Sequence, residues 1–204
     1  MARCAGICGS DLRVPKIVAG RILLIPGSLR AASTNMAVLR TVLAVLPNGV
    51  DGVLYDGLGR LPHFNPDDDR EPLPGEVASM RAAIHGADAV VFSTPEYAGA
   101  LPGSFKNLLD WTIGDDQPGS IYEKPVGWVN ASPHRNARGA HAELRTVLNY
   151  AHATIVEDAC VEIPVGRALV GGDGRIVDAQ VRETLTRAMA ALAAHAGTDI
   201  HRRS

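Results

Sequence analysis

Five short apolar runs, each followed by a stretch with helical spacing, constrain this chain more than any other feature. Ile22-Leu23-Leu24-Ile25 is the first run and Val50 to Tyr55 the second. Ala89-Val90-Val91-Phe92, Pro125 to Asn130 and the partly alternating Thr154 to Ile163 complete the set. Runs this short and apolar suit strands buried on both faces. Thr34 to Leu46 carries Leu39, Val42, Leu43 and Leu46 on one helical stripe. Glu76 to His85, Ser104 to Ile113 and Ala137 to Tyr150 are the next helices, and Asp178 to Ala196 closes the order with Gly197 as its expected stop. Such alternation implies parallel strands joined by right-handed crossovers. The expected fold class is therefore α/β, a three-layer sandwich with a five-stranded parallel sheet and helices on both faces.

A sheet covered twice needs small and aliphatic side chains, and the composition supplies them: 46% of residues are hydrophobic but only 4% aromatic. The 204 residues suit one domain. The expected division is a flexible N-terminal extension over 1–20, the domain over 21–197 and a C-terminal tail over 198–204. Residues 1–20 are rich in Gly, Cys and Arg, and show no period. A net charge of −2 gives no basic footprint for nucleic acid and no polybasic patch for a membrane. Cys4, Cys8 and Cys160 form no disulfide framework, which points to a reducing, cytoplasmic setting.

In an open α/β sheet, ligands bind beyond the carboxyl ends of the strands. Three loops there stand out. The first, Pro26 to Asn35, leads into a helix N-terminus, whose free N–H groups suit a phosphate. Ser28, Ser33, Thr34 and Asn35 add short polar groups, and Arg30 adds a bidentate cation. An ordinary N-cap with a surface arginine reads equally well, and neither the Walker nor the G-x-G-x-x-G pattern is present. The second loop, Thr94 to Asn107, has Pro95 and Pro102 near its ends and holds Tyr97. It suits the polar edge of a flat heterocycle, or is simply a stiff turn. The third, Asn130 to Gly139, is small, polar and basic. Residues 56–74 form a long, proline-rich loop of the kind that is often functional.

Taken together, Gly27-Ser28-Leu29-Arg30 with Ser33 and Asn35, Pro95-Glu96-Tyr97, and Leu101 to Asn107 with Asp110-Trp111 resemble the NADPH-dependent FMN reductase family, which includes soluble quinone, chromate and azo-compound reductases. The resemblance covers about residues 21–195 in element order. It implies a flavodoxin-like fold and FMN as cofactor, with NADPH or NADH as hydride donor. It places Ser28, Arg30, Ser33 and Asn35 at the FMN phosphate, and Pro95, Glu96, Tyr97 and Ala98 against the isoalloxazine, with Ser132 contributing from the third loop. Many members carry Asn where this chain has Ala98, and a Gly-rich third loop where it has Ser132-Pro133-His134-Arg135. The activity implied is passage of hydride from the nicotinamide to FMN and on to a quinone-like or other small electron acceptor. No catalytic side chain is required, since the protein supplies orientation and electrostatics. A homodimer or homotetramer is also implied, and the helix from Ser104, with Trp111, carries more apolar residues than one face can bury against a sheet.

Two other readings start from the same fold: a flavodoxin-like electron carrier, and a non-catalytic flavin-binding module. Arg30 in the phosphate loop and a near-neutral charge favour the reductase. Cys4, Cys8, Gly9, Ser10 and Asp11 mimic part of a zinc site, but four ligands cannot be assembled nearby. The seven histidines show no metal spacing, and Cys160 sits in an apolar strand as packing.

Overall fold

The structure is a computed structural model that describes residues 20–132 and 137–203, with side chains through residue 197. The zinc-like fragment, residues 1–19 of the expected extension and Pro133 to Asn136 of the third loop lie outside the described residues.

Each apolar run becomes a strand: β1 (Gly20–Pro26), β2 (Val50–Leu54), β3 (Ala89–Ser93), β4 (Pro125–Ala131) and β5 (Thr154–Ile163). All pair in parallel, in the order β2-β1-β3-β4-β5. The strands are linked by α1 (Thr34–Val45), α2 (Gly75–His85), α3 (Gly103–Ile113) and α4 (Arg138–Tyr150), and α5 (Ala179–Arg203) closes the chain. Alternate residues of one strand serve opposite layers. Leu23 and Ile25 face α2, α3 and α4, whereas Ile22 and Leu24 face α1 and α5. The chain reverses its winding between β1 and β3, which opens a crevice at their carboxyl ends.

β5 keeps its expected pattern, and α5 departs from its expected end. β5 alternates only in part because its register with β4 slips: Val126 pairs with Ile155, but Trp128 pairs with Cys160. The additional β5 residues bulge there, and a Cβ on Gly127 would run into Ala159. α5 does not stop at Gly197 but continues helical to Arg203. Gly197 is not left-handed, and a helical glycine costs only about 1 kcal/mol when neither proline nor an αL cap follows.

The long loop over 56–74 is a fitted cover for α3. The Pro62 carbonyl accepts from Trp111 Nε1 (2.9 Å) and Asn107 Nδ2 (2.8 Å), while the side-chain Oδ1 of Asn107 accepts from Phe64 N (2.7 Å). The Phe64 ring meets Trp111 edge-on at 5.0 Å. Arg81 of α2 bonds Asp69 at 2.7 Å and the Trp111 carbonyl at 2.8 Å, closing the far end. Trp111 is thereby fully buried. The surplus apolar residues of α3, expected to need a partner subunit, are covered by the chain itself.

Candidate active site

The crevice between the carboxyl ends of β1, β3 and β4 holds a cleft of about 350 Å³. Eight of the nine expected residues line it: Ser28, Arg30, Ser33, Asn35, Pro95, Glu96, Tyr97 and Ser132. Ala98 does not. It lies at the tip of a two-residue turn in which Tyr97 and Ala100 exchange both backbone hydrogen bonds at 3.0 Å. Ala98 and Gly99 take φ of 52° and 80°, the left-handed pair of a type I′ turn.

The first loop is shaped by close approach. A Cβ on Gly27 would overlap Thr94, so only glycine lets the ends of β1 and β3 meet here. Gly27 N donates to the Ser93 carbonyl (2.8 Å). The Ser33 hydroxyl caps α1 by accepting from Met36 N (3.1 Å). The Ser28 hydroxyl accepts from Arg30 N (3.3 Å), and Ser93 Oγ lies 3.0 Å from Asn35 Oδ1 and 2.9 Å from the Val129 carbonyl. The N-cap reading of Ser33 is therefore correct and compatible with a cleft position. Asn35 is tied to β3 and fixes the wall.

Glu96 has a second task. Its Oε2 accepts from Gly139 N (2.7 Å) and Ala140 N (3.2 Å), placing a carboxylate on the N-terminus of α4, where the helix dipole favours it. Glu143 of α4 reciprocates, accepting from Leu101 N (2.7 Å). A Cβ on Gly139 would collide with the Gly99 carbonyl, so the loop and the helix meet without a side chain between them.

Behind this contact, the His141 ring of α4 stacks on Trp128 with centroids 5.9 Å apart, and the Arg145 guanidinium lies 4.9 Å from the Trp128 ring. Arg145 also forks onto Glu157 of β5, at 2.5 and 2.8 Å. Both His141 ring nitrogens are buried and have no hydrogen-bond partner among the described residues. Burial pushes its pKa down to about 4, against a weaker upward pull from Glu96. Burial also pushes the Cys160 thiol up to about 12, so it holds its proton at neutral pH, in keeping with a packing role.

Thr34 of the first loop lines the cleft as well, and so does Arg167, which the sequence pattern did not single out, together with Ala32, Ala131 and Ala137. Arg167 opens a short helical turn after β5. The rule that sites lie beyond strand carboxyl ends applies to this loop as much as to the other three.

The cleft thus has two unlike ends. One offers the α1 N-terminus, short hydroxyls, Arg30 and Arg167, a donor set that fits a phosphate. The other is a stiff loop with Pro95 and the half-exposed ring of Tyr97. The chain matches the NADPH-dependent FMN reductase family over residues 20–167. It is 32% identical to an NAD(P)H-dependent FMN reductase of Pseudomonas aeruginosa over 174 residues, covering 84% of this chain and 92% of that protein. A quinone reductase of Escherichia coli K12 is 31% identical over 140 residues, covering 67% of this chain and 73% of that protein. Among solved structures, the flavoenzyme NAD(P)H:(acceptor) oxidoreductase of Paracoccus denitrificans superposes with a TM-score of 0.77 at 25% identity, covering 88% of this chain and 98% of that one. Sheet order, cleft position and these likenesses agree, and the chain belongs to the NADPH-dependent FMN reductase family.

Proposed function

We propose that the cleft holds FMN with its phosphate at the α1 N-terminus and its ring against Pro95 to Tyr97, and that the chain reduces quinone-like acceptors with NAD(P)H. The observation that carries this is the two-ended cleft: anion donors from Ser28 to Asn35 and Arg167 at one end, a rigid loop with an aromatic ring at the other. Ser28, Arg30, Ser33 and Arg167 would hold the phosphate, and Asn35 would keep the loop in place through Ser93. When bound, FMN supplies the chemistry, accepting hydride from the nicotinamide and passing electrons to the acceptor. The chain's own residues bind and orient. Glu96 and Glu143 fix the ring-side loop to α4, so that its backbone holds one geometry. Tyr97 and Leu29, 49% and 61% exposed, offer apolar surface beside the cleft on which a flat acceptor could rest. FMN should bind to the purified chain and bleach when NADPH is added without oxygen, with colour returning on addition of a quinone. A chain that binds FMN but is not bleached by either nicotinamide nucleotide would be a carrier or a binding module instead.

A homodimer and a cytoplasmic setting belong to the same proposal. The dimer is supported by family likeness and by the exposed Leu29 and Tyr97, no longer by α3. A monomeric mass by light scattering at micromolar concentration would reject it. The cytoplasmic setting is supported by dependence on nicotinamide nucleotides and by the free thiol of Cys160. No helix among the described residues is long and apolar enough to cross a membrane.

A further inference from the structure

A second pocket, of about 310 Å³, opens beside the phosphate end of the cleft, between α1 and the loop that follows β5. The two share Ala32, Ser33, Thr34 and Arg167 as a common wall, so the phosphate end continues into new space. The walls of that space are small, with Ala31, Ala37, Val170 and Gly174, and arginines stand on two sides, Arg40 from α1 and Arg167 from the loop. Neither arginine forms an ion pair among the described residues. The Arg40 guanidinium lies against Gly174, whose φ of 73° bends the loop around it.

The pocket is built rather than incidental. The fully buried Thr41 hydroxyl donates to the Ala37 carbonyl (2.8 Å) and accepts from Ile176 N (2.8 Å), pinning the loop to α1. Val170 and Ile176 pair as a bridge across the same loop. The result is a slot of small residues flanked by two guanidinium groups and joined to a phosphate site. Guanidinium groups pair with phosphate and stack on flat rings. A planar base carrying a phosphate meets both properties, and the confluence with the first cleft suits a ligand whose phosphates straddle the shared wall.

Resting on the flavin reading of the first cleft, we propose that this second pocket is an adenylate subsite, which takes the phosphate and purine of an adenine dinucleotide. The group could belong to FAD, continuing past the flavin phosphate, or to the nicotinamide nucleotide. The test is calorimetric titration of 5′-AMP into the FMN-loaded chain and into its Arg40→Ala and Arg40→Glu variants. Arg40 is exposed on α1, and circular dichroism checks that the fold is kept. AMP should bind without releasing FMN, and Arg40→Ala should weaken it about tenfold, Arg40→Glu further, with FMN affinity within about twofold of the parent. Two further titrations identify the source. If Arg40→Ala weakens FAD but not FMN, the adenylate is the flavin's. If it weakens NADP⁺ on the FMN-loaded chain and leaves FAD equal to FMN, it is the nicotinamide nucleotide's. AMP that fails to bind at millimolar concentration, that displaces FMN, or that is indifferent to Arg40 overturns the proposal. If FMN itself does not bind, the reading of the first cleft fails, and AMP titration of the flavin-free chain and its Arg40 variants decides this one.

Discussion

At the residue scale, the walls of the cleft divide into groups that touch a guest and groups that hold those groups still. Arg30 has no other evident structural task, so its loss tests binding with little effect on folding. Arg30→Ala should weaken FMN by one to two decades, the worth of a charge-assisted bond of about 1.5–3 kcal/mol, and unchanged affinity in a fluorescence titration would contradict the phosphate assignment. Ala98 invites the opposite experiment. Its φ of 52° puts an alanine where the left-handed region disfavours a Cβ. Asparagine tolerates that region and, followed by glycine, is the preferred pair for a type I′ turn. Ala98→Asn should therefore stabilise the protein by about 0.5–1 kcal/mol, seen as a rise of a few degrees in melting temperature. Because Ala98 lies off the cleft wall, FMN affinity should change little.

At the element scale, α4 couples the cleft to a titrating core. Below its ordinary 6.5, His141 would be protonated in the unfolded chain, but burial holds the folded value near 4. The unfolded state therefore binds the extra proton, so the stability is present above about pH 6.5 and is lost as pH falls through that value toward 4. The full effect is about 3 kcal/mol. Urea midpoints should fall across this window, and His141→Phe, which keeps a ring on Trp128, should flatten the fall. A profile unaltered by the substitution would remove His141 as its cause. Sequence pattern reached the elements well and their interplay poorly. All five strands and five helices were legible, because apolar runs and helical stripes are local signals. The cover of the α3 surplus is not legible in the sequence, because Trp111 is satisfied by Pro62 and Phe64, some fifty residues upstream, and nothing in its own helix announces them. Glu96 was read for its place in the Pro-Glu-Tyr motif, whereas its carboxylate holds a helix more than forty residues on. Arg167 was missed because its loop carries no motif, only a position beyond a strand end.

At the scale of the whole molecule, the described domain closes on itself from β1 onward, with both faces of the sheet covered and the long 56–74 loop sealing α3. A segment that precedes the first strand and shows no period is expected to be dispensable for that closure. Deleting residues 1–18 should leave FMN binding and NADPH-dependent bleaching intact. Loss of flavin or of solubility would mean that these residues pack on the domain or on a partner subunit, and would call for a metal assay on Cys4 and Cys8. One consequence concerns the whole cleft and comes from the Glu96 carboxylate on the N-terminus of α4. That bond offsets the positive pole of α4 beside the ring end, while Arg30 and Arg167 leave the pole of α1 reinforced. The potential therefore slopes along the length of the cleft instead of being uniform. A guest charged at only one end feels a torque before it makes any contact, and it is expected to arrive phosphate first. Glu96→Gln should lessen that slope but also removes a negative charge from the cleft, so stopped-flow capture of anionic FMN should quicken, more at low ionic strength than at high.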